Sequence, residues 1–381
     1  MECTIAEAKC ISVVDRNTSL LSDVPVRCYH LHSGHCGTPH DSDTRTRRHE
    51  RSGFRTGVPG HSAETWKGDD GMAMDIRDAD AGQLDKFRWY VRERADMLNR
   101  RVSGMRPPWT ESEELRSHRF CNVFRVCDRG SQFMVRMMNS MPEGTSELDD
   151  AALAFAYRRT NRADGWAEAV GRFGIPTHDT IIDWLHEVDG SGIMIHTSQA
   201  YNVATGREGK GMSIVAFLAG QMESLVSDGF FERFVSQDRF RDQLAVLMEI
   251  PRIGKFMAQQ IVTDYGYGRA GCDRYENRGV VAGPGSKRGV KWIFPNDDVT
   301  DLNDDGYVPV IHEWLMAGGH PKLEADGVTH DMTLMDTQNC LCEFDKLNRI
   351  QSGRGFRRKF DDSGTVRPIE PLVVPNSWKE A

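Results

Sequence analysis

Four groups of residues have types and spacings suited to chemistry on a phosphate-bearing substrate. The first runs Asn122, Arg125, Asp128, Arg129, Gln132 and Arg136. Advanced by about 100° per residue, these six share one third of a helix circumference, and Val123, Phe124, Val126, Cys127, Phe133, Met134, Val135, Met137 and Met138 fill the other side. Three arginines beside one aspartate and two amides suit a phosphate ester or a base edge. A solvated helix face has the same appearance. The second group is Gly283-Pro284-Gly285-Ser286-Lys287-Arg288-Gly289. Successive N–H groups around two glycines, followed by two cations, can cradle an oxyanion; a flexible surface turn fits equally. The third places Asp336, Asn339, Glu343 and Lys346 on one helix face, with Leu341, Phe344 and Leu347 turned away. Glu343 and Lys346 also read as an ordinary surface pair.

The fourth is Leu247 to Tyr267, LMEIPRIGKFMAQQIVTDYGY. Pro251 cannot continue the preceding helix. Gly254 permits a turn, and the residues from Lys255 onward suit a second helix. Such a hairpin presents helix N-terminal amides that suit a DNA phosphate, with Arg252, Ile253, Gly254 and Lys255 as the contact segment. An αα-hairpin of a helical core is the alternative.

The elements that position these groups are helical. Apolar residues recur with helical spacing over Leu84–Arg101, Glu111–Asn139, Asp149–Arg159, Trp166–Phe173, Thr180–Val188, Ser213–Asp228 and Phe230–Glu249. Thr110 with Glu113 reads as a capping box opening the second of these. Gly190 to Tyr201 holds a short strand or turn. The fold class is therefore all-α. His178, His186 and His196 read as packing or surface histidines. Gly266, Gly268 and Gly271 match G-x-G-x-x-G but follow a helix, so a dinucleotide site is rejected, and no G-x-x-x-x-G-K-[ST] occurs. Asp301 to Gly306 imitates a calcium loop, but His312 stands where a bidentate Glu is needed.

Residues 1–75 are His-rich and lack periodicity, so they read as a disordered tail, with Met72 or Met74 as an alternative start. Cys28, His30, His32, His35 and Cys36 match no standard zinc spacing, so no protein-held metal is expected. Residues 76–360 form the expected helical domain, and 361–381 a Pro-containing, extended tail. The 381 residues carry a net charge of −8. This excludes a uniformly basic nucleic-acid binder but permits local patches at Arg45–Arg55, Lys287–Lys291 and Arg354–Lys359. No apolar run reaches the length of a membrane span. The N-terminus lacks a secretory pattern, and nine cysteines show no framework spacing. A cytoplasmic protein is expected, in the host cytoplasm if the source is viral.

Four stretches, PWTESEELRSHRFCNVFRVCDRGSQF, IPRIGKFMAQQIVTDYGY, AGPGSKRGVK and LCEFDK, occur in this order. Together they resemble the α-glutamyl/putrescinyl thymine pyrophosphorylase family, also described as the hydroxymethyl-deoxyuridine DNA kinase helical domain. Phage members are amino acid:DNA transferases. The resemblance spans Phe87 to Phe360. It implies a helical fold like that of helix-hairpin-helix DNA glycosylases. It also implies a reaction on DNA, in which 5-pyrophosphoryloxymethyl-uracil loses pyrophosphate to an amine such as glycine, glutamate or putrescine. DNA and a small-molecule amine are the implied partners. Asn122, Arg125, Asp128 and Gln132 fall in the family's N-terminal motif, Asp264 at the end of the hairpin, Gly283, Gly285, Lys287 and Arg288 in its Gly-Pro-Gly segment, and Glu343, Asp345 and Lys346 in its C-terminal motif.

The reaction so implied requires base flipping. Lys287, Arg288, Arg125 and Arg129 are expected on the pyrophosphate, and Asp264, Glu343, Arg125 and Asp128 at the catalytic centre, with Asp264 or Glu343 as base. No cofactor is demanded; Mg carried by the pyrophosphate is compatible. Arg252, where glycine is commoner, and Leu347, where an aromatic is expected, depart from the family pattern. A helix-hairpin-helix glycosylase is the first alternative. Its bifunctional lysine position holds Phe256, with Lys255 one residue early, and Asp273 sits near the catalytic-aspartate offset. A non-catalytic DNA-binding module is the second.

Overall fold

In a computed structural model, the described residues are 66–67, 73–197, 211–271, 279–297, 306–354 and 370–379. The Cys28–Cys36 cluster, Asp273, residues 301–305 of the calcium-like loop and the residues expected to be a disordered tail, apart from two short strands, lie outside them. The chain is all-α. Its helices are α1 (Ala81–Val102), α2 (Glu113–Ser117), α3 (Arg129–Asn139), α4 (Glu147–Thr160), α5 (Ala163–Phe173), α6 (Ile181–Ser191), α7 (Ile214–Ser227), α8 (Phe230–Val235), α9 (Phe240–Met248), α10 (Lys255–Tyr265), α11 (Pro284–Ile293), α12 (Tyr307–Ala317), α13 (Leu334–Gln351) and α14 (Asn376–Lys379). Two small antiparallel pairs, Trp66–Lys67 with Ala73–Met74 and Leu323–Ala325 with Val328–His330, accompany them.

Local chemistry sets the helix starts. Asp80 caps α1 by accepting from Gln83 N at 2.9 Å. Ser146 with Asp149, and Thr333 with Asp336, form capping boxes at α4 and α13. Asn161 ends α4 in the left-handed region, a conformation its short polar side chain tolerates. Helix α4 is the centre of the core. Every residue from Asp149 to Thr160 is buried, and the helix packs against α8 and α10. An element covered on all sides needs small apolar residues at its contacts, which its alanines supply. Helices α11 and α13 pack closely where a Cβ on Gly289 would strike the Leu341 carbonyl.

Three expectations are corrected. The helix over Glu111–Asn139 is broken. Ser112, not Thr110, caps α2, and the chain then runs extended to a 3₁₀ turn at Arg125–Cys127 before α3. Two distant carboxylates and one nearby capture the amides that a continuous helix would use internally. Glu343 accepts from Cys121 N at 3.0 Å, Asp336 from Arg125 N at 2.7 Å, and Asp128 from Asn122 N at 2.8 Å. The Phe230–Glu249 helix is likewise split, into α8 and α9.

The expected extended tail is the third. Its described part, residues 370–379, is docked on α3. Gln132 donates to Val373 O at 2.8 Å, Arg136 to Pro371 O at 2.6 Å and Asn139 to Val374 O at 2.9 Å. The Trp378 ring stacks on His330 at 3.9 Å.

Candidate active site

A cavity of about 1340 Å³ opens where these elements meet. It exceeds the roughly 300–1,000 Å³ of ordinary small-molecule pockets, leaving room for a nucleotide together with a second reactant. The chain from Arg119 to Ser131, the end of α4, the start of α5, residues 194–197, α11 and α13 all contribute to its lining. Eight cations (Arg119, Arg125, Arg129, Arg158, Arg162, Arg288, Lys346 and Arg349) face three carboxylates (Asp128, Asp164 and Glu343), an excess of five positive charges. Three helices also direct their first turns at it, through Arg129–Ser131 of α3, Ala163–Asp164 of α5 and Gly285 of α11, and none has a side-chain capping hydrogen bond. Cations and helix N-termini both stabilise anions.

Asp128 is the N-cap residue of α3 and is half-buried. Burial raises its carboxyl from 3.8 to about 6, offset in part by the Asn122 amide and reinforced by the charge of Glu343. A carboxylate so poised accepts a proton near neutrality more readily than a solvated one. Glu343 is buried, and its Oε2 accepts both from the Cys121 amide at 3.0 Å and from Lys346 Nζ at 2.5 Å. Lys346 also donates to Arg119 O at 3.1 Å, so this pair ties α13 to the extended chain. Two cysteines reach the cavity. The nearby charges of Asp128 and Glu343, with burial, push the Cys121 thiol well up, and burial pushes Cys342 to about 11. Neither environment favours ionisation of the thiol.

On the side formed by α11 and α13, the buried Asp345 orients two guanidiniums, Arg288 at 2.9 Å and Arg349 at 3.1 Å. Arg288 remains about half exposed beyond this contact. On the α3 and α5 side, Arg129 pairs with Asp164, and Arg162 reaches Met194 Sδ at 2.7 Å.

Several expected site residues lie elsewhere. Asp264 is fully buried and does not line the cavity. Arg158 donates to it at 2.5 and 2.6 Å, and Arg125 at 2.9 Å. Protonating it would leave two buried guanidiniums uncompensated, so its assignment as the base is corrected. Arg125 itself is held by Asp264, by Gln260 at 3.0 Å and by Tyr267 Oη at 2.7 Å, and only its edge borders the cavity. Asn122 secures the turn before α3, donating to Cys127 O at 2.8 Å. Gln132 faces the C-terminal segment, not the cavity.

The Gly-Pro-Gly segment is a helix start, not a nest. Gly283 is the N-cap and Pro284 the first helical residue, where its fixed φ and missing N–H suit it. Arg288 reaches the cavity from α11, while Gly283 and Lys287 do not line it. The hairpin forms between α9 and α10 as expected. Arg252, Gly254 and Lys255 are exposed, Arg252 with a φ of 68°, but Ile253 is buried and anchors the turn in the core. The Phe256 ring lies against Gly283, so the hairpin abuts the start of α11.

Sequence reasoning missed Arg158, Arg162, Arg349 and His196 as cavity residues. Arg158 and Arg162 fall in a readable run, Arg158-Arg159-Thr160-Asn161-Arg162, just before a helix start. Among the described residues, no group of three His, Cys, Asp or Glu is placed to hold a metal ion, and no helix is long and apolar enough to cross a membrane.

The family model described as 5-hmdU DNA kinase, helical domain, matches residues 82–355, a span that contains every residue lining the cavity. No curated protein and no solved structure matches the chain.

Proposed function

The chain belongs to the 5-hmdU DNA kinase helical-domain family, associated with DNA base modification, and from that premise we propose that it replaces pyrophosphate on 5-pyrophosphoryloxymethyl-uracil in DNA with an amine. The observation that carries this reading is the cavity's cationic lining around the poised Asp128: eight cations face three lining carboxylates and two buried ones behind them, Asp264 and Asp345, an excess of three positive charges. A pyrophosphate leaving group develops several negative charges, which Arg288, Arg349 and Lys346 are placed to meet.

The base must leave the duplex for its 5-substituent to enter the cavity. Arg252 and Lys255, beside the uncapped start of α10, supply phosphate contacts that hold the strand. In the cavity the amine nitrogen forms a C–N bond to the 5-methylene carbon. The C–O bond breaks with its electron pair leaving on pyrophosphate, and the ammonium proton passes to Asp128. Arg125, Arg158 and Asp264 act from behind as a buried brace, two guanidiniums on one carboxylate, that positions the α4 end and the 3₁₀ turn.

The test is nucleoside mass spectrometry after incubating the protein with pyrophosphorylated duplex DNA and a panel of amines. An aminated 5-methyl-uracil nucleoside on intact deoxyribose is expected. Abasic sites would instead establish a glycosylase, and unaltered bases with stable DNA binding a non-catalytic module.

A further inference from the structure

The cavity wall formed by α13 is a single stripe. From 335 to 348 that helix is buried except at Asn339, Cys342 and Lys346, and all three line the cavity. Steps of three and four positions put them on one face. Lys346 stands toward the end that carries Arg349, which shares Asp345 with Arg288. Those are the cations placed above on the leaving pyrophosphate. Asn339 lies seven positions earlier, about 10 Å away along the axis at roughly 1.5 Å per residue. The substrate has the same two ends, an anionic group at one and the polar edge of the ring at the other.

That edge carries an acceptor, O4, beside a donor, N3–H. Meeting both takes a donor and an acceptor held side by side on one rigid group. Guanidinium and ammonium groups only donate, and ionised carboxylates only accept. The two nitrogens of an imidazole point apart, and a hydroxyl has one polar atom. A carboxamide has the required pair. Three amides line the cavity, Asn161, Gln260 and Asn339. Asn161 Oδ1 accepts from Arg158 at 3.2 Å, and Gln260 Oε1 accepts from Arg125 at 3.0 Å. Asn339 is half-buried, and its side-chain amide bonds to none of the described residues. It is the one amide of the three that is committed to nothing in the fold.

We propose that Asn339 reads the Watson–Crick edge of the flipped base, its carboxamide donating to O4 and accepting from N3–H. This rests on the reading of the cavity as the site of a flipped 5-substituted uracil. With the ring edge on Asn339 and the pyrophosphate on Lys346, Arg349 and Arg288, the 5-methylene falls between them, beside the small Cys342 side chain. A rotated amide meets N3 and the 4-amino group of cytosine equally well, so the contact positions the ring and does not itself separate uracil from cytosine.

Two duplexes test this, one carrying 5-pyrophosphoryloxymethyl-uracil and one its N3-methyl counterpart, each opposite an abasic site so that base pairing does not differ. Kd is measured without amine for wild type and Asn339→Ala, and nitrogen transfer is then measured with a panel of amines. Wild type should bind the N3-methyl duplex about tenfold or more weakly than the parent, the usual scale for a paired donor and acceptor on a base edge. Asn339→Ala should lose about tenfold on the parent duplex, show no further loss on the methylated one, and melt with wild type, since its amide holds nothing in the fold. Equal wild-type affinity for the two duplexes, unchanged affinity of Asn339→Ala for the parent, or a methylation penalty that survives in the variant overturns the edge contact, whether or not nitrogen is transferred. The expected affinity pattern without a nitrogen adduct from any amine overturns amine transfer and leaves the edge contact standing.

Discussion

Asp128→Asn separates a proton acceptor from a structural hydrogen-bond acceptor, because catalysis and stability should move in opposite directions. Asp128 Oδ1 accepts from the Asn122 amide at 2.8 Å, and an asparagine carbonyl oxygen retains that bond. What disappears is the charge. Because burial raises the carboxyl from 3.8 to about 6, the folded protein binds more protons than the unfolded chain between those values. Wild-type stability therefore falls as pH rises through that window, by roughly 3 kcal/mol in total. The variant does not titrate at this position. It should be more stable than wild type by up to about 3 kcal/mol above pH 6, with the difference vanishing below pH 4. Turnover should fall by about 10²–10⁴-fold, the usual contribution of a positioned base. In wild type the acidic limb of kcat/KM should rise through about pH 6 and be absent from the residual rate of the variant. Urea denaturation at several pH values gives the stability difference, and pyrophosphate release gives the rate. A variant that turns over normally, or one that is less stable than wild type at pH 7.5, refutes the role.

Three other substitutions test neighbouring parts of the structure. Asp264→Asn should cost about 3–5 kcal/mol in urea denaturation, because it leaves Arg125 and Arg158 buried without their carboxylate; full stability with lost turnover would restore Asp264 as a catalytic base. Arg288→Gln should lower kcat by about 10²–10³-fold in a pyrophosphate-release assay with at most about 1 kcal/mol lost in stability, since Arg349 still holds Asp345; normal turnover would remove Arg288 from the leaving-group site. Gly289→Ala should lower stability by about 1–3 kcal/mol in denaturant melts, because its Cβ meets the Leu341 carbonyl where α11 crosses α13, and an unchanged melt would contradict that packing.

Much of the helical frame was legible because apolar spacing and breakers are local signals. Pro251 and Gly254 marked the hairpin, and most of the helix spans from α1 to α10 follow the periodicity. The break within residues 111–139 was not legible. It depends on Asp336 and Glu343, more than 200 positions away, capturing amides that the local pattern assigned to a helix. Asp264 was misjudged for a related reason. Polar residues usually mark the exposed side of a helix, but Gln259, Gln260, Thr263 and Asp264 are all buried; Gln260 and Asp264 hold Arg125 and Arg158 from elsewhere in the chain, Gln259 accepts from Val281 N, and Thr263 donates back to Gln259 O. The helix start at Pro284 was missed, because its flanking glycines read as a loop. The poised carboxylate emerged from the burial of Asp128, with the nearby charge of Glu343 added, which no spacing along the chain reveals.

The most direct measurement of amine transfer is its stoichiometry on a duplex carrying one 5-pyrophosphoryloxymethyl-uracil, supplied with ¹⁵N-labelled amines. One labelled nitrogen should enter the base for each pyrophosphate released, with the deoxyribose intact. Pyrophosphate release without nitrogen incorporation, or an abasic site in place of the base, would contradict it.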